Sequence, residues 1–206
     1  MEGAVKRRKQ ARRHGSSHEQ WVADFFPNGY VYNGTAGDVV VDDWIIECKY
    51  RLRFRAMRRD DFRGWINQAK RNARDWKKRK KEMRWAVCFT GGGLMGRYMV
   101  LSPESFTQLS GVTIPTSLLG DGHAQGWLFF RQWRTNFLLN KLTELGEWVS
   151  LARANAKFWE ELGRPMEWAI LISSSQETYV IIPIEKFKEL HELRIKYPTY
   201  DGPVPE

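Results

Sequence analysis

The sequence predicts an α/β fold in which strands alternate with helices and the whole arrangement is partly duplicated. The alternation is visible as short apolar runs on either side of a long segment whose apolar residues recur at helical spacing. The duplication is visible as residues of the same type that recur 83 positions further along, and beyond Phe89 the second copy is two residues shorter. The tryptophans that define the repeat are Trp44, Trp65, Trp76 and Trp85, matched by Trp127, Trp148, Trp159 and Trp168.

Each copy is predicted to consist of a hairpin, a long amphipathic helix, two strands and a short helix. Asp60 and Asp61 suit the first turn of the long helix, because carboxylates interact favourably with the N-terminal end of a helix dipole. The apolar stripe of that helix consists of Phe62, Trp65, Ile66, Ala69, Ala73 and Trp76. The predicted hairpin spans residues 39–50, the strands span 85–90, 98–101, 168–173 and 179–183, and an additional helix spans about residues 17–26.

Length and composition limit the kind of protein. With 206 residues the chain is long enough for one large domain or two small ones. It has neither the ~18 consecutive apolar residues of a membrane span nor the apolar region of a secretory signal. Cys48 and Cys88 lie in apolar, β-rich segments, which favours buried reduced thiols and a cytoplasmic protein. We divide the chain into a first copy with a basic arm (1–110), a degenerate second copy (111–197) and a Pro-rich tail (198–206) that is expected to fray.

Positive charge is concentrated in the first copy. The net charge of the chain is +9, but residues 1–84 hold 22 basic and 11 acidic residues, while residues 85–206 hold 11 and 13. Segregation of this size indicates a polyanionic partner, because a generic solvated surface mixes both signs. No zinc-finger or other base-reading motif accompanies the charge. Contacts are therefore expected to go to a phosphate backbone and to depend on shape.

The segment GDVVVDDWIIECKYR, residues 37–51, is predicted to form a hairpin. Two aspartates at 42–43 separate its apolar strands, and Asp tolerates the left-handed backbone of tight turns. If they form the turn, cross-strand pairing places Asp38 opposite Glu47, with Cβ atoms about 4.5–5.5 Å apart. Lys49 lies two residues beyond Glu47 and therefore shares its face.

Two opposed carboxylates beside an ammonium group suggest a metal site. Like charges directly opposed destabilise a sheet, and a hard divalent cation removes the conflict by binding oxygens of both Asp38 and Glu47. Mg²⁺ held in this way retains waters and phosphate oxygens, which suits hydrolysis of a phosphodiester. Lys49 is then placed to hold the attacking water or to neutralise charge on the phosphate. The alternative is a solvated hairpin face on which Lys49 only pairs with the acids.

The pattern D…ECK, from Asp38 to Lys49, resembles the core motif of the PD-(D/E)XK nuclease superfamily. More specifically, residues 7–109 resemble archaeal and phage-type Holliday junction resolvases, through the segments RRKQARRHGSSHEQWVADFF, GYVYNGTAGDVVV and WIIECKYR. Gly37 stands where the superfamily name has proline. The resemblance covers about half of the chain. It implies a restriction-endonuclease-like core, a two-layered sandwich around a mixed β-sheet, dependence on Mg²⁺ with Mn²⁺ as a substitute, and action as a homodimer in a prokaryotic or phage-infected cell.

The resemblance also implies that Glu19, on the first helix, assists the metal or the water. Two interpretations of this residue stay open. Ser16 and Glu19 have the spacing of a capping box, whereas its spacing from Val22 and Phe26 places all three on one face, directed toward the sheet. Gln68 matches an accessory glutamine of some relatives, although an ordinary polar helix residue is the simpler interpretation.

Basic residues form three clusters, in the N-terminal arm, directly after the hairpin, and over 77–81 at the end of the long helix. The helix dipole alone favours cations at 77–81, so we assign DNA binding to the first two clusters. These candidates are Lys6, Arg7, Arg8, Arg12 and Arg13 in the arm, and Arg51, Arg53, Arg55, Arg58 and Arg59 after the hairpin.

The second copy has lost the candidate site. The offset of 83 retains one carboxylate, as Asp121, but replaces Glu47 by Phe130 and Lys49 by Gln132. The second copy is therefore predicted to be structural, and either to pack on the first or to form a subunit interface.

The leading hypothesis is a metal-dependent, structure-selective endonuclease that resolves four-way DNA junctions. One rival is a restriction- or repair-type nuclease acting on duplex, flap or single-stranded DNA, and another is a DNA-binding protein without activity. Two symmetric cuts require two active sites, and one chain has one complete set of residues. The basic charge of the first copy and the nearly neutral charge of the second make us favour a two-fold dimer of chains over pairing of the two copies within one chain.

Overall fold

The computed structural model describes residues 16–34, 37–51, 61–78, 81–91, 94, 96–114, 122–133, 142–173 and 177–196. The first half contains a helix, a hairpin, a long helix, two strands and a short helix, in the predicted order. The first helix, α1, covers residues 16–25 of the described chain. The following elements are β1 (Gly29–Val31), β2 (Val39–Val41), β3 (Trp44–Arg51), α2 (Asp61–Lys78), β4 (Arg84–Gly91), β5 (Tyr98–Leu101) and α3 (Pro103–Ser110).

The second half repeats the order from β2 to α3. Its first strand begins 83 residues after β2, and its last helix begins 81 residues after α3, as the repeat in the sequence predicts. The elements are β6 (Gly122–Ala124), β7 (Trp127–Trp133), α4 (Leu142–Glu161), β8 (Glu167–Ser173), β9 (Thr178–Pro183) and α5 (Ile184–Lys196). The predicted frayed tail, 198–206, lies outside the described residues.

The nine strands of the described chain form one sheet, in the order β1-β2-β3-β4-β5-β9-β8-β7-β6. β3 pairs with β4, and β7 with β8, in parallel. The other neighbouring strands pair antiparallel. The sequence between the two strands of each parallel pair contains the long helix of that copy, as a crossover between parallel strands usually does. The prediction of an α/β fold with a mixed sheet flanked by helices is confirmed.

Helices cover both faces of this sheet. Apolar residues of α2 and α4 pack on one face, and those of α1, α3 and α5 pack on the other. Successive side chains of β4 point to opposite faces of the sheet. Val87 and Phe89 lie under α2, while Ala86 and Cys88 face the helices on the other side. Counted with the sheet, the helices make three layers instead of the two-layered sandwich that the resemblance implied. Both faces of the central strands are apolar, and each face needs a cover.

The two copies meet at the centre of the sheet with two-fold symmetric pairing. β5 of the first copy pairs with β9 of the second, and Val100 lies opposite Ile181, its own counterpart in the repeat. The side-chain contacts around this pair follow the same two-fold symmetry, because each long helix contacts a tyrosine of the other copy. Lys70 on α2 donates to the hydroxyl of Tyr179 at 2.6 Å. Conversely, Tyr98 forms a hydrogen bond with Arg153 of α4. The second copy therefore packs on the first within a single chain. The preference for pairing between two chains over pairing of the two copies within one chain was wrong, because β5 and β9, the edge strands of the two copies, pair with each other. A dimer of chains stays a prediction.

Cys48 and Cys88 are free and buried, as expected from their apolar segments. No helix in the described part of the chain is long and apolar enough to cross a membrane.

Candidate active site

The hairpin of β2 and β3 forms with the predicted register. Val39, Val40 and Val41 pair with Ile46, Ile45 and Trp44, so residues 42–43 form the turn. Asp42 has a φ of 50°, the left-handed conformation for which an Asp at this position was expected. The register brings Asp38, just before β2, next to the middle of β3.

Glu47 is the most deeply buried acidic residue of the candidate site, with none of its surface exposed. It points to the α2 side of the sheet, where two donors engage its carboxylate. Lys49 donates through Nζ to Oε1, and Asn72 of α2 donates through Nδ2 to Oε2 at 2.8 Å. Both oxygens are therefore held, one by a cation and one by a neutral amide.

Asp38 completes the pair of carboxylates. Its Oδ2 accepts a hydrogen bond of 2.7 Å from the backbone N–H of Cys48, which fixes it against β3. The side chains of Asp38 and Glu47 also share a hydrogen bond, one of the influences on the pKa of Glu47. The structure thus brings together Asp38, Glu47 and Lys49, the three residues that the sequence places in one cluster.

Gly37, directly before Asp38, has a backbone conformation that proline cannot adopt. Its φ of 112° is accessible to glycine, whereas proline is restricted to a φ near −65°. A Cβ atom at this position would also lie 2.4 Å from Cγ2 of Ile45. The backbone that delivers Asp38 to the site therefore requires glycine.

The surroundings of Glu47 make its charge unfavourable. Burial is the largest influence and the charge of Asp38 the next, and together they raise the pKa of Glu47 to about 7. The charge and hydrogen bond of Lys49 act in the opposite direction but do not outweigh them. Near neutral pH the protein thus holds a carboxylate that an additional cation would stabilise.

Glu19 approaches the same region from the other face of the sheet. It lies on α1 beside Val22 and Ala23, which pack on the face opposite α2. Burial and the charge of Asp38 raise the pKa of Glu19, while Lys49 lowers it, so its carboxylate lies within electrostatic reach of both. The orientation toward the sheet is therefore observed, and whether Glu19 assists a metal stays a prediction.

The donor chemistry of the site suits Mg²⁺, but the ligand set is small. Among the described residues no group of three or more His, Cys, Asp and Glu side chains is arranged to hold a metal ion. Glu19 and Glu47 reach the region from opposite faces, which leaves Asp38 and Glu47 as the carboxylates in contact. Mg²⁺ is commonly held by one or two carboxylates together with waters and substrate phosphate oxygens. Two carboxylates are therefore a sufficient protein contribution.

Asn72 is the site residue that the sequence did not identify. It is 5% exposed although it belongs to a long, largely polar helix. Its position, three residues after Ala69 and seven after Trp65, places it on the buried face of α2. A polar residue within an apolar stripe is the signal that would have found it. Gln68, one turn earlier, is half-buried.

The second copy shows what these positions become without the site. Phe130, which replaces Glu47, is 6% exposed and belongs to the apolar core beneath α4. Asn155, the counterpart of Asn72, donates instead to the backbone carbonyl of Leu151 on its own helix, at 2.9 Å. Gln132, the counterpart of Lys49, lies on β7. The second copy keeps the fold without the carboxylate that Asn72 holds in the first.

The predicted DNA-binding residues are almost all outside the described chain. Arg51 is the last residue of β3, and its side chain is not described. The candidates outside the described residues are Lys6, Arg7, Arg8, Arg12, Arg13, Arg53, Arg55, Arg58 and Arg59, together with Asp121 of the second copy.

Comparison with known proteins adds no relative, since no family model, no curated protein and no solved structure matches this chain.

Proposed function

We propose that this protein is a metal-dependent DNA endonuclease that acts on branched DNA, with Asp38, Glu47 and Lys49 at its active site. The observation that carries the proposal is the fully buried Glu47 in contact with a second carboxylate. Burial of one charge beside a like charge costs free energy, and an ion pair with the single ammonium group of Lys49 does not neutralise both carboxylates. A divalent cation bound by both carboxylates accounts for both residues.

Each side chain has a defined role in this proposal. Asp38 and Glu47 supply oxygens for Mg²⁺, for which Mn²⁺ substitutes, and Glu19 assists from the opposite face. A divalent ion held by Asp38 and Glu47 would supply an activated water and would stabilise negative charge on the phosphate. Lys49, which is 21% exposed, presents its ammonium group to the same phosphate. Asn72 keeps the Glu47 carboxylate in one orientation through its hydrogen bond.

The preferred substrate is a four-way DNA junction. The resemblance to junction resolvases and the basic charge of the first copy support this choice. Resolution of a junction requires two cuts, and one chain contains one complete set of Asp, Glu and Lys. A homodimer, with two chains on one junction, is therefore part of the proposal.

A second candidate is a nuclease that nicks one strand, as repair enzymes do. The two-fold pairing of β5 with β9 favours it, because the chain already contains an internal pseudo-dimer with a single site. This candidate keeps the residues and the chemistry and changes only the substrate and the number of cuts.

A panel of substrates tests the proposal. The purified chain is incubated with Mg²⁺ and labelled junction, flap, duplex or single-stranded DNA, and the products are resolved on denaturing gels. We expect paired cuts in the junction, and cleavage limited to one strand of any substrate would favour the nicking candidate. Binding to all four substrates without any cut would contradict the endonuclease and leave a DNA-binding protein.

A further inference from the structure

A basic groove lies beside α2, on the side away from the candidate active site. It has a volume of about 910 Å³ and lies between α2, the start of β4 and the β2–β3 turn. Asp43 and Glu82 are its acidic residues. The cations that line it, here called the α2 groove cations, are Lys70, Arg71, Arg74, Lys77 and Arg84.

Two of these cations are held in place by the fold. Lys70 donates to Tyr179 at 2.6 Å and to Glu177 at 3.3 Å, so the central strands fix its ammonium group. Arg84 pairs with Asp43 at 3.1 Å, and its guanidinium lies 5.4 Å from the ring of Trp44. Arg71 and Arg74 are exposed along the rim of the groove. Positive charge from two different elements thus converges on one concave surface.

The second copy provides an internal comparison. At the positions of the five α2 groove cations it has two cations, one neutral residue and two acids. Arg71 corresponds to Ala154, while Lys77 and Arg84 correspond to acidic residues. The residues at these matched positions are Arg153, Ala154, Lys157, Glu160 and Glu167. Since α4 and β8 form with no net charge at these five positions, the fold does not require a net positive charge there, and the excess in the first copy points to a ligand.

The groove and the candidate site lie on opposite flanks of α2. Lys70 and Arg74 are each two residues from Asn72, which corresponds to about 160° around a helix with 3.6 residues per turn. Asn72 faces Glu47, whereas Lys70 faces the central strands. An α-helix with its side chains is about 10–12 Å wide. A ligand in the groove that also reaches the site must therefore extend past α2.

We propose that the α2 groove binds the phosphate backbone of a DNA arm other than the one that is cut. Duplex DNA carries one negative charge per about 1.7 Å of its axis, so it satisfies several cations in a row. Burial is the largest influence on the pKa of Arg84 and lowers it, the charge of Asp43 raises it, and the charge of Arg194 lowers it. A phosphate at this end of the groove would act in the same direction as Asp43. The assignment to an uncut arm rests on the proposed function, whereas the binding of DNA backbone does not.

The test compares two double variants with the same change in net charge. Arg71→Gln with Arg74→Gln removes two cations from the groove. Lys157→Gln with Arg164→Gln removes two exposed cations from α4 and the turn after it. Affinity for labelled four-way junction and linear duplex is measured by fluorescence anisotropy without divalent cations, from 50 to 200 mM salt. Cleavage with Mg²⁺ is scored separately.

The groove variant should lose about 1.8 from the slope of log affinity against log salt for the junction, at about 0.9 per phosphate contact. The ratio between the junction affinity of the unchanged protein and that of the groove variant would then fall about tenfold between 50 and 200 mM salt. The control variant should keep the original slope, and linear duplex should respond less than the junction.

Equal slopes for the two variants, or no binding of DNA by the unchanged protein, would overturn the groove as a DNA site. An equal response of junction and duplex would overturn its assignment to a second arm. A groove effect in a protein that never cleaves would leave the groove in place and reject the nuclease. If the protein cleaves DNA but the groove variant keeps the original salt slope, the nuclease is retained and the groove is rejected as a DNA site.

Discussion

The Glu47 carboxyl gives up its proton less readily than an ordinary glutamate. Burial and the charge of Asp38 raise its pKa to about 7, despite the ion pair with Lys49. A carboxyl group whose pKa is raised by folding destabilises the native state when it is charged, unless a cation offsets the charge. The same charge is thus unfavourable without a cation and suited to binding one.

The stability of the metal-free protein should therefore fall with rising pH. A folded pKa above the unfolded value of 4.5 means that the stabilisation is complete below pH 4.5 and is lost as the pH rises through about 7. The size of the loss is about 3 kcal/mol. Urea unfolding of the unchanged protein and of Glu47→Gln, with a chelator present, measures the difference at each pH. A difference that stays constant from pH 4 to 8 would show that Glu47 is not perturbed.

Asn72 offers a second test at the scale of single residues, with Asn155 as its matched control. Asn72→Ala removes the donor to Glu47, and loss of a residue that orients a metal ligand typically lowers metal affinity or activity by about 10- to 100-fold. Asn155→Ala breaks only a contact to its own helix and should leave both unchanged. Calorimetric titration with Mn²⁺ and cleavage rates check the pair. Equal behaviour of the two variants would remove Asn72 from the site.

At the scale of elements, the hairpin depends on a glycine that no other residue replaces well. Gly37→Ala should destabilise the protein by about 1–3 kcal/mol, because alanine does not tolerate a φ of 112° and its Cβ would meet Ile45. Gly64 is the control, since it lies in α2 and an added Cβ would have no atom within 4 Å apart from its chain neighbours and the backbone of its own helix. Gly64→Ala should stabilise by about 0.5–1 kcal/mol. Shifts of the urea midpoint in the same direction for both variants would contradict the backbone conformation assigned to Gly37.

The hairpin also shows which elements the sequence predicts and which it does not. A two-residue turn fixes the register of its strands, so the position of Asp38 beside β3 follows from local sequence. Helical spacing places Asn72 on the buried face of α2, but its contact with Glu47 also depends on how α2 is positioned over β3, which spacing alone does not determine. The pairing of β5 with β9 was equally inaccessible. These strands are apolar on both faces, and such runs do not reveal their neighbours.

At the scale of the whole molecule, one chain contains two copies of the core but one site. The central pairing places Val100 opposite its counterpart Ile181, so β5 is not free to pair with a second chain. Phe130 occupies the position of Glu47 within the apolar core of the second copy. A single chain is therefore expected to make a single cut.

The number of cuts should follow the number of chains on the DNA. With fewer chains than junctions, we expect nicked junctions, and paired cuts should appear as two chains bind each junction. A junction labelled on all four strands, combined with sedimentation of the protein with and without DNA, measures both quantities. Paired cuts from one bound chain would show that the second copy contributes a site despite Phe130 and Gln132.

The most direct test of the active site is the Mg²⁺-dependent cleavage rate of Asp38→Asn, with DNA binding measured on the same preparation. Asp38 is half-buried, and its side chain contacts Glu47 and the backbone of Cys48. The substitution keeps the size of the side chain and removes the charge. We expect cleavage to fall by at least about 100-fold, or about 2.7 kcal/mol in the activation barrier, while binding is retained or strengthened. Cleavage by Asp38→Asn at the rate of the unchanged protein would contradict the metal site.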